Sequence, residues 1–558
     1  MKRCCLLLSS VGLPTSRHGH LLLAQGRDRE WEREWGGDRY QEWRGRERGQ
    51  ELGYDCQRAR GTREEGVSTL GHRPSIISCC LRHNRSIHIW IQTEHPYKTL
   101  IYSRSDKDYG ARMPVITKSL LRAMRMPKYF QTVPVIVEVK EGVKALPISQ
   151  RVSELLKVDI TQNLPMSNAF AIVIPTSMVD SLAAIPQVEK VHFDRPMYAF
   201  EGPLPPLPDP FALLGMNQQL AKMLADPRIM MAPDTGWIPS GEANKLTGIY
   251  TLHNRGIKGK GVKVWVLDTG VDPTNPQLQG IVAGMHSTTI GDPVDRNGHG
   301  SWCASRIAGQ LFHHPVYGYD LLGGAPECEL HTVKVLTDLG LGNTSDIIKG
   351  MEMALENGAD VVSMSLGGDG DAEAEEEDLS VKLINKAAET HPKTIFVIAA
   401  GNSGAQGEKA GATIGIPACA EESLTVGAWS ILDMARAYYS STGPTLQAKR
   451  VKPDIMADGG GRAMESGYRK GMGDIYSGSA FGSQLDPLDL VIDGFCPLKG
   501  TSMATPAVAA IIALWKGAVP QLTTRDIKAI FAKYGQAKTN ELGFGLISAE
   551  WLLSALTG

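Results

Sequence analysis

The 558-residue chain has no apolar run near the ~20 residues that a membrane-spanning helix needs. It also lacks an excess of either charge. Lys+Arg is 58 against Asp+Glu 60, a net charge of −2, so the overall balance points to neither nucleic acid nor an anionic membrane. The nine cysteines include no C-x-x-C pair, which excludes a zinc ribbon, and their spacing excludes a small disulfide scaffold. One or two bridges, and the redox compartment, stay open. Lysine is nearly missing from one end: residues 1–97 hold 1 of the 28 Lys but 15 of the 30 Arg. Within that end, residues 26–65 carry 10 Arg, 11 Asp or Glu, 7 Gly and no Lys. Such a stretch buries too little apolar area to offset the entropy of ordering its backbone. Residues 1–125 are therefore expected to be a disordered or unassigned segment. The opening MKRCCLLLSSVGL has the basic tip and short apolar run of an export signal, but no small-x-small cleavage site follows. A later start, at Met113, Met124 or Met126, is the alternative.

What remains is ordinary globular composition, 42% hydrophobic and 21% charged, with length for two to four domains. From Thr132 the pattern sharpens. VPVIVEVKE (133–141) alternates as a strand, and residues 148–157 read as a helix with Val152, Leu155 and Leu156 on one face. AFAIVIP (169–175) reads as a buried strand, 177–185 as a second helix and VEKVHFD (188–194) as another strand. This predicts a small α+β unit over 130–200. A Pro-rich linker, EGPLPPLPDP, opens the segment 201–243. From 244 to 558 continuous apolar runs, 262–268, 330–336, 360–366 and 394–401, alternate with helical stretches at 345–357 and 379–390. That rhythm predicts an α/β fold, a parallel sheet with helices on both faces and its site at the carboxyl ends of the strands.

Three segments carry candidate chemistry. VLDTGVD places Asp268 at the end of a strand, DRNGHGSWCAS sets His299 between two glycines, and GTSMATP sets Ser502 before an apolar helix over 507–515. A serine is a weak nucleophile until an imidazole takes its proton, and the imidazole needs a carboxylate to fix its tautomer. Gly298 and Gly300 are expected to let backbone and substrate approach the imidazole. Pro506 is expected in the first turn of the serine's helix, where its missing N–H costs little. IAAGNSG puts Asn402 on a turn after a strand, placed to be an oxyanion donor beside the Ser502 N–H; losing such a donor costs ~3–4 kcal/mol in a transition state. His313 and His314 are read as surface loop, since adjacent histidines do not share a metal well.

In residues, order and spacing these segments resemble the subtilisin-like serine peptidases (subtilases), whose chain order of triad residues is Asp, His, Ser. The resemblance runs from about Gly248 to the C-terminus. It implies a serine endopeptidase acting through an acyl-enzyme on Ser502, His299 and Asp268, with Asn402 at the oxyanion. It also implies that Ser365, Leu366 and Gly367 bind substrate as an added strand, and that Gly415 floors a specificity pocket. The α+β unit would be a ferredoxin-like inhibitory propeptide, cleaved between about Tyr198 and Asn244. Polypeptide substrates and this propeptide would be the partners of a monomer. The compartment would be extracellular, with a cytoplasmic enzyme as the alternative. Cys303, four residues after His299, resembles the cysteine of proteinase K-like members and predicts inhibition by mercurials. Gln277 stands where the family has a calcium-binding carboxylate, so no cofactor is required and calcium at the usual positions is unsupported. The acidic run 369–378 is read as a solvated loop, or as a site favouring basic residues before the cut or a cation. A catalytically silent subtilase-like binding protein is the alternative function; an α/β-hydrolase esterase is disfavoured because its order is Ser, acid, His.

Overall fold

A computed structural model describes residues 115–199, 237–315, 317–370, 374–404, 412–464, 473–485 and 494–557, together with three short strands before residue 106. The arginine-rich stretch 26–65 and the linker 201–236, with most of the expected cleavage interval, lie outside the described residues. The three early strands, Ile77–Arg82, Ser86–Ile91 and Ile101–Ser105, form an antiparallel sheet that belongs to a separate unit ending near Ala111. No strand is expected there from the sequence, because the segment shows no clear alternation.

The α+β unit starts earlier than the expected residue 130. Helix α1 (Lys118–Ala123) and Ile116, which bridges to Val191, pack Ile116, Leu120 and Met124 into its core. Strand β1 (Thr132–Val139), helix α2 (Ala145–Leu156), β2 (Ile160–Leu164), β3 (Ala169–Pro175), α3 (Val179–Ala183) and β4 (Val188–Phe193) follow in βαββαβ order. The antiparallel sheet runs β2-β3-β1-β4, the ferredoxin-like arrangement. On α2, Val152 is buried as expected, but Leu155 is 66% exposed. A last strand, β5 (Pro196–Ala199), leaves this sheet altogether.

The larger part is α/β. Among its strands are β6 (Lys263–Asp268), β7 (Val282–Ser287), β8 (Glu329–Lys334), β9 (Leu341–Asn343), β10 (Val361–Met364), β11 (Leu366–Gly367), β12 (Ile395–Ala399), β13 (Leu424–Ser430), β14 (Ala435–Arg436) and β15 (Ile455–Asp458). Eight of them make one sheet in the order β7-β8-β6-β10-β12-β13-β14, with β15 also paired to β13; all its pairs are parallel except β13–β14. Central strands such as β12, IFVIA, are buried along their whole length, which is why they read as continuous apolar runs. Helices α4 (His299–Ala308) and α7 (Thr501–Ala518) pack on one face, while α5 (Thr344–Glu356) and α6 (Leu379–Thr390) pack on the other. α7 is buried from Thr501 to Lys516, so it forms the centre of the core rather than an amphipathic cover.

Two sequence expectations fail here, the second only in part. His314 is fully buried, bonded to the Tyr476 hydroxyl at 3.0 Å and stacked on Tyr317; only His313 lies at the surface. The acidic run is solvated at Asp369 and Glu376 but tied down at Glu375 and Asp378. Glu375 is buried and accepts from the Gln447 N–H at 2.6 Å and from Arg450 at 3.4 Å; Asp378 caps α6 through the Ser380 N–H at 2.9 Å.

Candidate active site

Asp268 is the last residue of β6, at the carboxyl end of a central parallel strand. Its Oδ1 accepts from the Thr269 N–H at 2.8 Å and from His299 Nδ1 at 2.8 Å. Both residues are fully buried. The ordinary value of His299 does not survive that setting. Burial opposes a charged imidazole, but the adjoining Asp268 carboxylate outweighs it and holds His299 well above the usual histidine range. The bond to Nδ1 leaves Nε2 as the basic nitrogen, and Nε2 has no hydrogen-bond partner among the described residues.

His299 opens α4 after Gly298, whose φ of +106° excludes most side chains. The glycines admit close neighbours, backbone among them, as expected. A Cβ on Gly300 would lie 2.2 Å from the Gly270 carbonyl oxygen, and one on Gly298 would lie 2.6 Å from Ser479 Oγ. Sequence reasoning missed Asp295, which builds this turn. Its Oδ1 accepts from the Thr269 hydroxyl and from the Asn297 and Gly298 N–H groups, and its Oδ2 accepts from the Ser301 N–H and hydroxyl. Burial raises its carboxyl despite these bonds. An acid ahead of the N-G pair in DRNGHG was the available signal.

Ser502 is the second residue of α7, so its N–H precedes the first intrahelical bonds. Its Oγ donates to the Ser365 carbonyl at 3.0 Å, and the Ser365 hydroxyl donates to the Ser502 carbonyl at 2.9 Å. Pro506 lies inside the helix, not in its first turn as expected. Lacking an N–H, it cannot bond to the carbonyl four residues back, which is that of Ser502. The freed carbonyl is taken by Ser365 and by the Cys303 thiol at 3.7 Å. Cys303 Sγ also lies 4.0 Å from His299 Nδ1, so the thiol touches both the imidazole and the serine backbone. Burial pushes that thiol upward and keeps it protonated. Asp268, His299 and Cys303 could also offer a soft metal ion one atom each, all within 4.8 Å of one another.

Asn402 sits beside the serine: its Oδ1 accepts from the Thr501 N–H at 3.0 Å and hydroxyl at 2.9 Å, which fixes the amide's orientation. Gly415 lines a cavity of about 310 Å³ bounded also by Gly368, Gly401, Ser403, Thr413 and Leu446. Leu366 and Gly367 form β11, which pairs antiparallel with Ala199 and Tyr198 of β5; β5 pairs on its other side with β9. Gln277 is buried and structural, accepting from the Gly478 N–H at 2.9 Å and donating to the Gln310 carbonyl at 3.3 Å. Cys303, Cys328, Cys419 and Cys496 are buried. The arrangement therefore places a buried carboxylate–imidazole pair, a serine at a helix start and a side-chain amide at one end of the sheet.

Residues 259–545 match the family model described as the subtilase family. The chain is 34% identical over 314 residues to the serine protease AprX of Bacillus subtilis (strain 168), covering 53% of this chain and 66% of that protein. It is 35% identical over 302 residues to M-protease of Shouchella clausii (strain KSM-K16), covering 53% and 66%. Against Subtilisin Savinase of Lederbergia lenta it is 34% identical over 302 residues, covering 53% and 93%. The chain thus spans just under two thirds of the length of the first two of these relatives.

Proposed function

The chain belongs to the subtilase family, and from that premise we propose that it is a serine endopeptidase made as an autoprocessed precursor. The observation carrying this reading is the buried Asp268–His299 bond, linked through Cys303 and Ser365 to Ser502 at the start of α7. In the proposed cycle His299 Nε2 takes the Ser502 proton as Oγ attacks the peptide carbonyl. The Ser502 N–H and Asn402 amide hold the oxyanion, the imidazolium gives its proton to the leaving amine, and water hydrolyses the acyl-enzyme. Asp268 orients the imidazole and stabilises its charge.

The α+β unit is read as the inhibitory propeptide because β5 occupies β11, the edge assigned to substrate. Ala199, the last described residue of β5, pairs with Leu366, the neighbour of Ser365, whose carbonyl receives the Ser502 hydroxyl. This supports a cut close after Ala199, and we propose the bond from Phe200 to Glu201. Met197 is fully buried on the cleft side and would anchor the segment. The enzyme is read as a monomer acting outside the cell, and no cofactor is assigned. No helix among the described residues is long and apolar enough to cross a membrane.

A fluorophosphonate probe should label the protein, and Ser502→Ala should abolish labelling. A folded protein that never labels would instead support the catalytically silent binding protein. N-terminal sequencing of the first product should read from Glu201, and Ser502→Ala should stay uncut.

A further inference from the structure

Outside the triad, one pair of imidazoles is arranged as a ligand set. His286 stands on β7 and His331 on β8, at the sheet edge farthest from β14. Both rings stack on the buried Trp265 indole, His331 at 4.7 Å and 7°, His286 at 5.5 Å and 9°. Trp265 lies on β6, so one aromatic face holds the two rings nearly parallel and limits their rotation. His331 Nε2 lies 2.8 Å from Glu329 Oε1. A carboxylate only accepts, so Nε2 carries the proton and the Nδ1 lone pair points elsewhere. That Nδ1 is buried and has no hydrogen-bond partner among the described residues, a costly state for a polar atom.

The space it faces belongs to Gly284, the residue paired with His331 across the two strands. A Cβ on Gly284 would stand 2.7 Å from His331 Nδ1 and 3.3 Å from His286 Nε2. Two imidazole nitrogens from two strands thus border the same glycine carbon. Side-chain rotation would bring both to the ~2.0–2.1 Å of a bond to one ion held clear of the Gly284 Cα. We propose that His286 Nε2 and His331 Nδ1 bind a divalent transition ion, of the zinc and copper class that imidazole favours, beside Gly284. Glu329 then acts as the carboxylate behind a metal-bound histidine, fixing its tautomer and raising its basicity. Water completes the coordination on the partly exposed edge. The ion ties the unprotected edge strand β7 to β8, just before the segment that leads to His299.

The test uses the full chain carrying Ser502→Ala, with zinc chloride and then copper(II) alone as probes. Zinc should raise the thermal midpoint, and copper(II) should show an electron paramagnetic resonance spectrum with coupling to imidazole nitrogen. His286→Ala should abolish both signals. Gly284→Ala should abolish them too, because its Cβ would crowd both ligating nitrogens while both ligands remain. Cys303→Ala should keep them, which separates this site from the triad cluster. No zinc shift in the parent, or a shift that survives His286→Ala, would overturn the proposal. If Gly284→Ala does not fold, His286→Ala still decides.

Discussion

Pro506 and Cys303 act on the same atom, the Ser502 carbonyl, and together they set how the nucleophile is held. Because proline supplies no helical donor, Ser365 and Cys303 take that carbonyl. Pro506→Ala would restore an N–H that competes for it. The expected result is a several-fold fall in kcat at nearly constant KM, with a thermal midpoint no lower than the parent's. Cys303 touches the imidazole, so a mercurial bound to its sulfur should block activity, and Cys303→Ala should be active and insensitive. Full activity after verified mercuration of the parent would refute the contact's importance. His299 gives a pH dependence with a definite sign. Its base form is needed, and Asp268 raises its affinity for the proton despite burial. Activity should therefore be lost as pH falls through this raised value and should grow toward alkaline pH. A profile of kcat/KM breaking at or below the ordinary value of 6.5 would contradict it.

At the scale of elements, close backbone approaches decide more than propensity. Gly300 on α4 touches the Gly270 turn after β6, and both partners are backbone. Gly300→Ala should cost about 1–3 kcal/mol in a denaturation curve and lower activity as well, since the same contact seats His299. The α+β unit docks by similar local contacts. Asp194 accepts from the Ser345 N–H at 2.9 Å and hydroxyl at 2.7 Å in the first turn of α5. Glu352 on α5 accepts from the Ser167 N–H at 3.0 Å and hydroxyl at 3.1 Å. Burial pushes each carboxyl up to about 7. Both acids bind protons more tightly in the packed state than when solvated. Packing is thus favoured at low pH, and that contribution is lost as pH rises through about 7. The stability of uncut Ser502→Ala should fall between pH 5 and pH 8, and Glu352→Gln should flatten the fall. An unchanged slope in Glu352→Gln would exclude this acid as a source.

For the molecule as a whole, one chain supplies both β11 and the strand β5 that pairs with it. β5 lies between β9 and β11, while Lys190 and Lys382 pair across to Glu377 and Glu138 at 3.2 and 3.1 Å. These partly exposed pairs add little stability, so the strand pairing and buried acids carry the docking. The acidic run meets the α+β unit through Glu377, and Asp369, exposed next to β11, accepts from the Tyr198 hydroxyl of β5 at 2.7 Å.

Asp268, His299, Asn402 and Ser502 were legible in the sequence because each stands on a short glycine-marked turn at a strand end or helix start, and such turns are local. The parallel sheet was legible because buried strands must be apolar along their length. Asp295 had a local signal in DRNGHG, and only its bond to Thr269 joins separate segments. The place of Pro506 within α7 was not legible, since it depends on contacts closed between distant segments. Nor was the early start of the α+β unit, where Leu120 gains its burial only from strands that follow it. The sequence by itself determined the fold class and the chemical groups at the site. Only the tertiary structure decided that β5 would lie in the cleft and that two histidines would meet over Gly284, because strand register and the stacking of rings across strands are set by packing rather than by neighbours in the chain.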